Sequence, residues 1–190
     1  MNTKTHIINI MKRTKYTLVM AALLAVFALS CGEKASPSDP SPPDVSLPQS
    51  LITGEAPPNA LGVVDARKDV SPGAKIVVTG FIGGRRKPFV EGRAVFTLAD
   101  NKALTRCDLK PNDPCKTPWD ACCDTQETLK ASVATIQAVD GAGLVLKQTL
   151  KGFGGIQPGS YVIVQGKIAP GATGAALIIN AEKIHLTTAP

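Results

Sequence analysis

One short pattern occurs twice in the chain and restricts the fold more than any other feature. Residues 72–82 and 158–168 both open with Pro-Gly, continue with alternating apolar residues and end as Val-x-Gly-x-Ile. Alternation places every second side chain on one face, which is typical of a half-buried β-strand. A glycine inside such a strand is tolerated where the strand bends or another backbone approaches closely. The repeat therefore predicts two strands of a small, strongly coiled β-structure.

Three further segments alternate in the same way, and no stretch has a long helical period. Residues 93–100, 132–139 and 175–186 are separated by turn-forming residues, including the turn at 140–143 that leads into residues 144–147. Residues 60–70 are expected to add a strand or a short helix. The predicted inward-facing side chains of the first two of these segments are Ala94, Phe96, Leu98, Ala134, Ile136 and Ala138. The fold class predicted from these patterns is all-β.

The order of these motifs resembles that of an OB-fold of the small, secreted bacterial kind. The chain has Val-x-Gly-x-Ile at 78–82, Ala-x-Phe-x-Leu-x-Asp at 94–100, and a third strand at 132–139. Pro-Gly-x-x-Val-x-Val-x-Gly-x-Ile at 158–168 and Leu-x-Ile-x-Ala-x-x-Ile at 177–184 follow. The resemblance implies a small OB-like Greek-key barrel. Another small barrel, or a β-sandwich, would give much the same alternation.

The first 30 residues have the pattern of a secretory signal peptide. Basic Lys12, Arg13 and Lys15 precede an uncharged run at 17–29, which is shorter than the ~20 residues that a membrane-spanning helix needs. The following Cys31 resembles the lipid-modified cysteine of a bacterial lipobox. That resemblance implies removal of residues 1–30, lipidation of Cys31 and anchoring in the cell envelope. An ordinary signal-peptide cleavage nearby is the alternative.

A proline-rich segment follows the cysteine. Seven prolines lie between residues 33 and 58, with no hydrophobic period, so residues 31–59 are predicted to be a disordered tether. The folded domain is then residues 60–190. Gly32 stands where Asp would signal retention at the inner membrane in enteric bacteria, which favours the outer membrane. The expected partners are the membrane and an envelope ligand or protein, facing the periplasm or the surface.

The insertion at residues 101–128 between the second and third strands carries four cysteines. In an exported protein, Cys107, Cys115, Cys122 and Cys123 most simply form two disulfides. Because neighbouring cysteines pair poorly, Cys107 and Cys115 would each bond to one of Cys122 and Cys123. The alternative is a thiolate site for zinc or copper, or a thiol-redox site. Its further candidate ligands are Asp108, Asp113, Asp120 and Asp124.

Histidine is scarce, and this argues against catalysis. His6 belongs to the predicted signal peptide, and His185 in the last strand is expected to face solvent. No Ser/His/Asp or Cys/His set can be assembled, so no catalytic residue and no enzyme activity are predicted. The leader also accounts for most of the formal charge of +6: the chain after residue 30 has 17 basic and 15 acidic residues, a charge of +2. This net charge is too small to indicate a nucleic-acid partner on electrostatic grounds.

A basic loop follows the first strand of the repeat. It contains Arg85, Arg86, Lys87, Phe89 and Arg93. In OB-folds this loop and the neighbouring strand faces form the ligand surface, so the resemblance implies a binding site here, while a solvated loop is the simpler interpretation. The residues that could complete the surface are Phe81, Val95, Thr97, Thr135 and Gln137. An exported position argues against cellular DNA or RNA as the ligand.

The sequence therefore predicts a membrane-anchored lipoprotein with a non-catalytic OB-like domain. Its role would be binding or envelope structure, with the ligand left open and no cofactor required. The alternative is a metal-binding or thiol-redox protein that uses the four cysteines of the insertion.

Overall fold

The computed structural model describes residues 46–189. The predicted signal peptide, Cys31 and the start of the tether lie outside these residues. Six strands and two short helices make up the described part, with 3-10 turns at Gln49–Leu51, Cys107–Leu109 and Phe153–Gly155. In chain order the elements are β1 (Leu61–Gly62), α1 (Val63–Ala66), β2 (Lys75–Ile82), β3 (Val95–Ala99), α2 (Gln126–Ala131), β4 (Val133–Gln137), β5 (Tyr161–Ile168) and β6 (Ile178–Thr187).

Strands β2 to β6 close into a five-stranded barrel. Their order is β2-β3-β4-β6-β5, and β5 pairs back with β2 through seven residue pairs. All of these pairings are antiparallel except β4 with β6, which is parallel. A five-stranded barrel with this order and one parallel pairing is OB-like, so the predicted fold class is confirmed. The short β1 adds to β2 as a parallel neighbour at the edge.

The side chains at the alternating apolar positions of the sequence fill the interior of the barrel. Val78 of β2, Phe96 of β3, Ile136 of β4, Val164 of β5 and Ile184 of β6 are all fully buried in one apolar cluster. The predicted inward positions in the β3 and β4 segments are buried as well. Burial of these side chains, at about 25 cal/mol per Å² of apolar surface, is the main stabilising contribution to the barrel.

The two strand glycines lie where neighbouring backbone leaves no room for a side chain. A Cβ on Gly80 would overlap the carbonyl oxygen of Ala99, and one on Gly166 would overlap that of Asn180. Gly166 also follows a register shift between β5 and β6. The close approach predicted from the repeated Val-x-Gly-x-Ile pattern is therefore present at both positions.

The tether ends earlier than its composition predicts. Leu47 and Leu51 are buried in the barrel core, and Ile52 forms a parallel bridge to Ile184 on β6. The half-buried His185 ring places Nδ1 3.1 Å from the carbonyl oxygen of Thr53, so it is not the solvated side chain that we expected. We call residues 46–53 the strap. The strap is ordered because Leu47 and Leu51 bury apolar surface in the barrel core. The prolines around these leucines gave no indication of this burial in the sequence.

Residues 60–70 combine both predicted alternatives, a strand and a short helix. β1 pairs with β2 through Leu61 and Gly62, and α1 follows immediately. Val63 and Ala66 of α1 are buried against the barrel. These elements lie beside the point where the cysteine insertion leaves the barrel.

Candidate metal centre

The insertion begins at a buried carboxylate. Asp100, at the end of β3, is 3% exposed. Its two oxygens accept hydrogen bonds from the backbone amides of Val64 at 2.9 Å, Lys102 at 2.8 Å and Ala103 at 3.1 Å. Hydrogen bonds to a charged acceptor are strong and directional, so they fix the path of the chain as it leaves the barrel.

The insertion ends in α2, a helix that the sequence analysis missed. Thr125 caps it by accepting a hydrogen bond from the amide of Thr128 at 3.1 Å. Six helical residues are too few to show a helical period, but the Thr cap followed by Glu127 in the first turn was an available signal. The helix joins a second apolar cluster made of Phe81, Ala99, Leu104, Ala121 and Leu129.

Between these two anchors the insertion buries little. No side chain from residue 108 to residue 119 is buried, and Leu109 is 63% exposed. Two backbone hydrogen bonds bring the ends of this segment together, from the amide of Cys107 to the carbonyl of Asp120 at 2.8 Å and from Asp108 to Pro118 at 3.2 Å. Apolar burial contributes little here, and a metal or a covalent crosslink would add stability to the segment.

The cysteines of the insertion converge. The sulfur of Cys107 lies 3.6 Å from that of Cys122, and the sulfur of Cys122 lies 3.8 Å from that of Cys115. All three sulfurs lie within 4.8 Å of one another. Cys107 is 1% exposed, Cys115 is half-buried and Cys122 is exposed. The structure thus brings together the residues that both the disulfide and the metal predictions require.

The sulfur distances are too long for a covalent bond and are compatible with metal coordination. A disulfide requires a sulfur separation of about 2.05 Å. Sulfurs bound tetrahedrally to zinc at about 2.3 Å lie about 3.8 Å apart. All four cysteines of the described residues are free thiols, so the predicted disulfides are not formed in this structure. The observed 3.6 and 3.8 Å are close to the edges of a metal–thiolate tetrahedron.

A second group of donors shares Cys107. The sulfurs of Cys107 and Cys123 and a carboxylate oxygen of Asp113 also lie within 4.8 Å of one another. The Cys123 sulfur is 3.5 Å from Asp113 Oδ2. The other oxygen, Oδ1, accepts a hydrogen bond from the backbone amide of Cys115 at 2.7 Å, which orients the carboxylate. Of the four predicted aspartate ligands, Asp113 is the one placed among the sulfurs.

The other three aspartates have different contacts. Asp108 forms an ion pair with Arg106, whose Nε lies 3.0 Å from Asp108 Oδ1. Asp120 accepts a hydrogen bond from the amide of Ala121 at 2.9 Å and stabilises the turn. Asp124 lies 3.8 Å from the ammonium of Lys110. Among the described residues, none of these three carboxylates belongs to either donor group.

The thiols differ in acidity. Burial raises the pKa of the Cys107 thiol well above its usual range. The hydroxyl of Thr117, 3.2 Å from the Cys115 sulfur, lowers the pKa of that thiol. Cys115 therefore ionises before Cys107 as pH rises. Since metals bind the thiolate, Cys115 is suited to make the first metal contact, and metal binding at Cys107 must displace a proton.

Arg106 holds the start of the cysteine segment against the barrel. Its guanidinium lies 6.0 Å from the ring centre of Phe81 and 5.4 Å from that of Tyr161, and it donates a hydrogen bond to the carbonyl of Gly159 at 2.8 Å. Burial lowers the pKa of this group, but the ion pair with Asp108 outweighs that effect and raises it. The neighbouring Cys107 is thereby attached to a rigid part of the fold.

The basic loop lies against the insertion. The indole nitrogen of Trp119 donates a hydrogen bond to the carbonyl of Arg86 at 3.1 Å, and the amide of Gly84 donates to the carbonyl of Trp119 at 2.9 Å. Arg85, Arg86 and Lys87 are exposed, and in the part of the chain that the structure describes none of them forms an ion pair.

The two phenylalanines of the predicted ligand surface both pack against apolar groups. Phe89 packs its ring 5.9 Å from that of Phe96 and contacts the barrel core, and Phe81 is 1% exposed. Gln137, also proposed for this surface, is half-buried and donates a hydrogen bond to Asn180 Oδ1 at 2.8 Å. Arg93 is exposed as expected. Both rings thus take part in apolar packing, Phe89 against the barrel core and Phe81 in the second cluster.

Comparison of the chain with protein-family models, curated proteins and solved structures found no match in any of the three. Among residues 46–189, no helix is long and apolar enough to cross a membrane. The fold and the site therefore define a small OB-like barrel that carries a cluster of thiols in the insertion between its second and third barrel strands.

Proposed function

We propose that this protein is a lipid-anchored envelope protein that binds a soft or borderline metal ion, Zn²⁺ or Cu⁺, through Cys107, Cys115 and Cys122. The observation that carries the proposal is the arrangement of three sulfurs with separations of 3.6 and 3.8 Å along two edges. Thiolates are the ligands that both ions prefer. Metal binding would also supply the stability that the exposed segment 108–119 lacks.

The envelope location rests on the first part of the sequence. A basic leader, an uncharged run and Cys31 support export and lipidation, with the outer membrane favoured. Because Leu47 already packs in the barrel core, the tether is shorter than the sequence predicts. The stretch from Cys31 to Ser46 would span at most about 45 Å when extended. The barrel would therefore be held close to the membrane surface.

The proposed role is binding rather than catalysis. The metal donors come from one insertion, and the single histidine of the described residues, His185, contacts the strap through the Thr53 carbonyl. A three-sulfur set holds a soft ion firmly, which suits capture or retention of the metal. The OB-like barrel serves in this proposal as the rigid support that fixes both ends of the insertion.

The test is metal and thiol analysis of the mature chain, extracted from membranes in detergent under anaerobic conditions. We expect zinc or copper close to stoichiometric amounts, protection of Cys107, Cys115 and Cys122 from thiol reagents, and exposure of these thiols after chelation. Intact mass reports acylation of Cys31 in the same sample. Absence of metal together with four cysteines that stay unreactive after chelation and denaturation would establish two disulfides and overturn the proposal.

A second candidate function is binding of an anionic ligand by the basic loop. The observation that favours it is the exposure of Arg85, Arg86 and Lys87 without an acidic partner among the described residues. Because the half-buried Phe89 ring packs against the core, stacking of a ligand on this ring is disfavoured, and electrostatic attraction becomes the main contribution. Anionic polysaccharide is the ligand class that agrees with an exported position.

A further inference from the structure

Two consecutive cysteines of the insertion belong to different donor groups. Cys122 lies with Cys107 and Cys115, whereas Cys123 lies with Cys107 and Asp113. The sulfurs of Cys122 and Cys123 never fall in the same group, so a single ion is poorly placed to take both. Cys107 is the one residue that the two groups share. This arrangement explains a Cys-Cys pair, which is an awkward feature for one tetrahedral site.

We propose that the insertion holds two metal ions bridged by the thiolate of Cys107. The first position has the sulfurs of Cys107, Cys115 and Cys122, and the second has Cys107, Cys123 and a carboxylate oxygen of Asp113. This inference rests on the proposed metal-binding function and extends it to a second ion. Mixed sulfur and oxygen donors favour Zn²⁺ at the second position, whereas three sulfurs accept Zn²⁺ or Cu⁺ at the first.

The orientation of Asp113 supports the second position. Its Oδ1 is held by the backbone amide of Cys115 at 2.7 Å, which leaves Oδ2 directed at the Cys123 sulfur 3.5 Å away. A hydrogen bond that fixes one oxygen of a carboxylate while the other faces the ion is a common support for a metal ligand. The same hydrogen bond links the two groups, because its donor is the backbone of a ligand of the first position.

Charge also favours two ions. With all donors deprotonated, four thiolates and one carboxylate carry five negative charges. One divalent ion would leave three of these charges uncompensated, whereas two ions leave one. Two of the basic side chains nearby in sequence pair with other carboxylates: Arg106 pairs with Asp108, and Lys110 lies beside Asp124. A second ion would therefore supply positive charge to the second donor group.

Burial agrees with a bridging role for Cys107. It is 1% exposed, whereas Cys122 and Cys123 are exposed and Cys115 and Asp113 are half-buried. Both ions would thus share the buried Cys107 sulfur as a ligand. They would lie on its solvent side, where metal can enter and leave. With three protein donors each, both positions keep one coordination site open to water or an external ligand.

The experiment counts ions on the full mature chain. Reduced, metal-free protein is titrated anaerobically with Zn²⁺, and native mass spectrometry gives the number bound. We expect two ions on the natural chain, one on Cys123→Ser and on Asp113→Asn, one on Cys122→Ser, and none retained with comparable affinity on Cys107→Ser. Asp124→Asn is the matched control, since it removes a carboxylate of the same insertion outside both groups, and it should keep two ions.

Titration with Co²⁺ gives an independent readout, because absorption from thiolate-to-cobalt charge transfer grows with the number of sulfur ligands. The Cys122→Ser and Cys123→Ser variants should each keep a cobalt–thiolate spectrum, which shows that the insertion still binds metal. One ion on the natural chain that is unaffected by Cys123→Ser overturns the inference and leaves the proposed function standing. One ion that requires Cys123 as well identifies a single site and also overturns it. No ion at all overturns both.

Discussion

The indole nitrogen of Trp119 donates a hydrogen bond to the backbone carbonyl of Arg86 at 3.1 Å. This contact joins the cysteine insertion to the loop between β2 and β3. The backbone carbonyl of Trp119 in turn accepts a hydrogen bond from the amide of Gly84 at 2.9 Å. The indole nitrogen and the carbonyl of Trp119 therefore both hold the same loop. The insertion is therefore attached to the barrel at its middle as well as at its two ends.

Trp119→Phe tests this attachment. The substitution keeps an aromatic ring but removes the indole donor, so we expect a loss of about 1 kcal/mol in the free energy of unfolding, measured by urea denaturation. Arg86→Ala is the matched control: it removes the side chain but keeps the carbonyl that accepts the bond. Equal destabilisation by the two variants would contradict the role given to the indole.

Gly166→Ala tests the close approach of β5 and β6. The added Cβ would overlap the carbonyl oxygen of Asn180, and we expect destabilisation of about 1–3 kcal/mol, with a lower urea midpoint. Gly171→Ala is the control, because nothing lies within 4 Å of a Cβ at that position. The control should be neutral or slightly stabilising. If both variants unfold at the same urea concentration, the explanation for the repeated strand glycine fails.

Thr117→Val tests the acidity of Cys115. The Thr117 hydroxyl lowers the pKa of this thiol, so its removal should raise the pKa, reduce the thiolate fraction near neutral pH and slow alkylation of Cys115. In the natural chain the thiolate persists to lower pH than in an ordinary cysteine. The pH at which metal binding reaches half its maximum should therefore move upward in the variant. Peptide mapping after timed iodoacetamide treatment at several pH values measures the alkylation.

The exposed Thr105 provides the control for this experiment. Thr105→Val removes a hydroxyl two residues before Cys107 and should leave the alkylation profile of Cys115 unchanged. In the metal-free natural chain, Cys107 should react slowest, because burial raises its pKa and restricts access. Faster reaction of Cys107 than of Cys115 would contradict the assignment of acidities.

The double variant Arg85→Ala plus Arg86→Ala tests the basic loop. Binding of an anionic polysaccharide, measured by calorimetry, should weaken at least several-fold in the variant and also weaken as salt rises, because exposed charges are screened. Stability should change little, since both side chains are exposed. Lys167→Ala, which removes a basic group paired with Glu182 on the barrel, is the control. An affinity that changes neither with salt concentration nor with the double substitution would exclude the loop as a ligand site.

The barrel could be predicted from the sequence because its strands follow a period of two. Val78, Phe96 and Ile136 mark the interior by alternation alone, and the glycine of each repeat marks a close approach. The order of these segments was sufficient to indicate the OB-like pairing. What alternation does not encode is the end of each strand: β4 stops at Gln137, and the following residues pair with the chain after the turn at 140–143.

The strap and α2 were missed because their signals in the sequence are short. Leu47 and Leu51 lie among prolines, and two leucines do not make a period. The convergence of the cysteines was expected from their number and spacing, but the division of Cys122 and Cys123 between two donor groups depends on side-chain direction. Asp113 was one of four candidate carboxylates, and it was distinguished only by the turn that places it beside Cys123.

When the chain is pulled from its N-terminal end, the contacts between the strap and the barrel should break in a defined order. Tension applied through the N-terminal end reaches Leu47 first, then Leu51, and only afterwards the bridge between Ile52 and Ile184. These contacts would detach one at a time rather than together, so the strap should peel at lower force than the closed barrel. Its eight residues would lengthen the link by about 25 Å. A protein held by its N-terminal end would thus lengthen reversibly while its barrel stays folded.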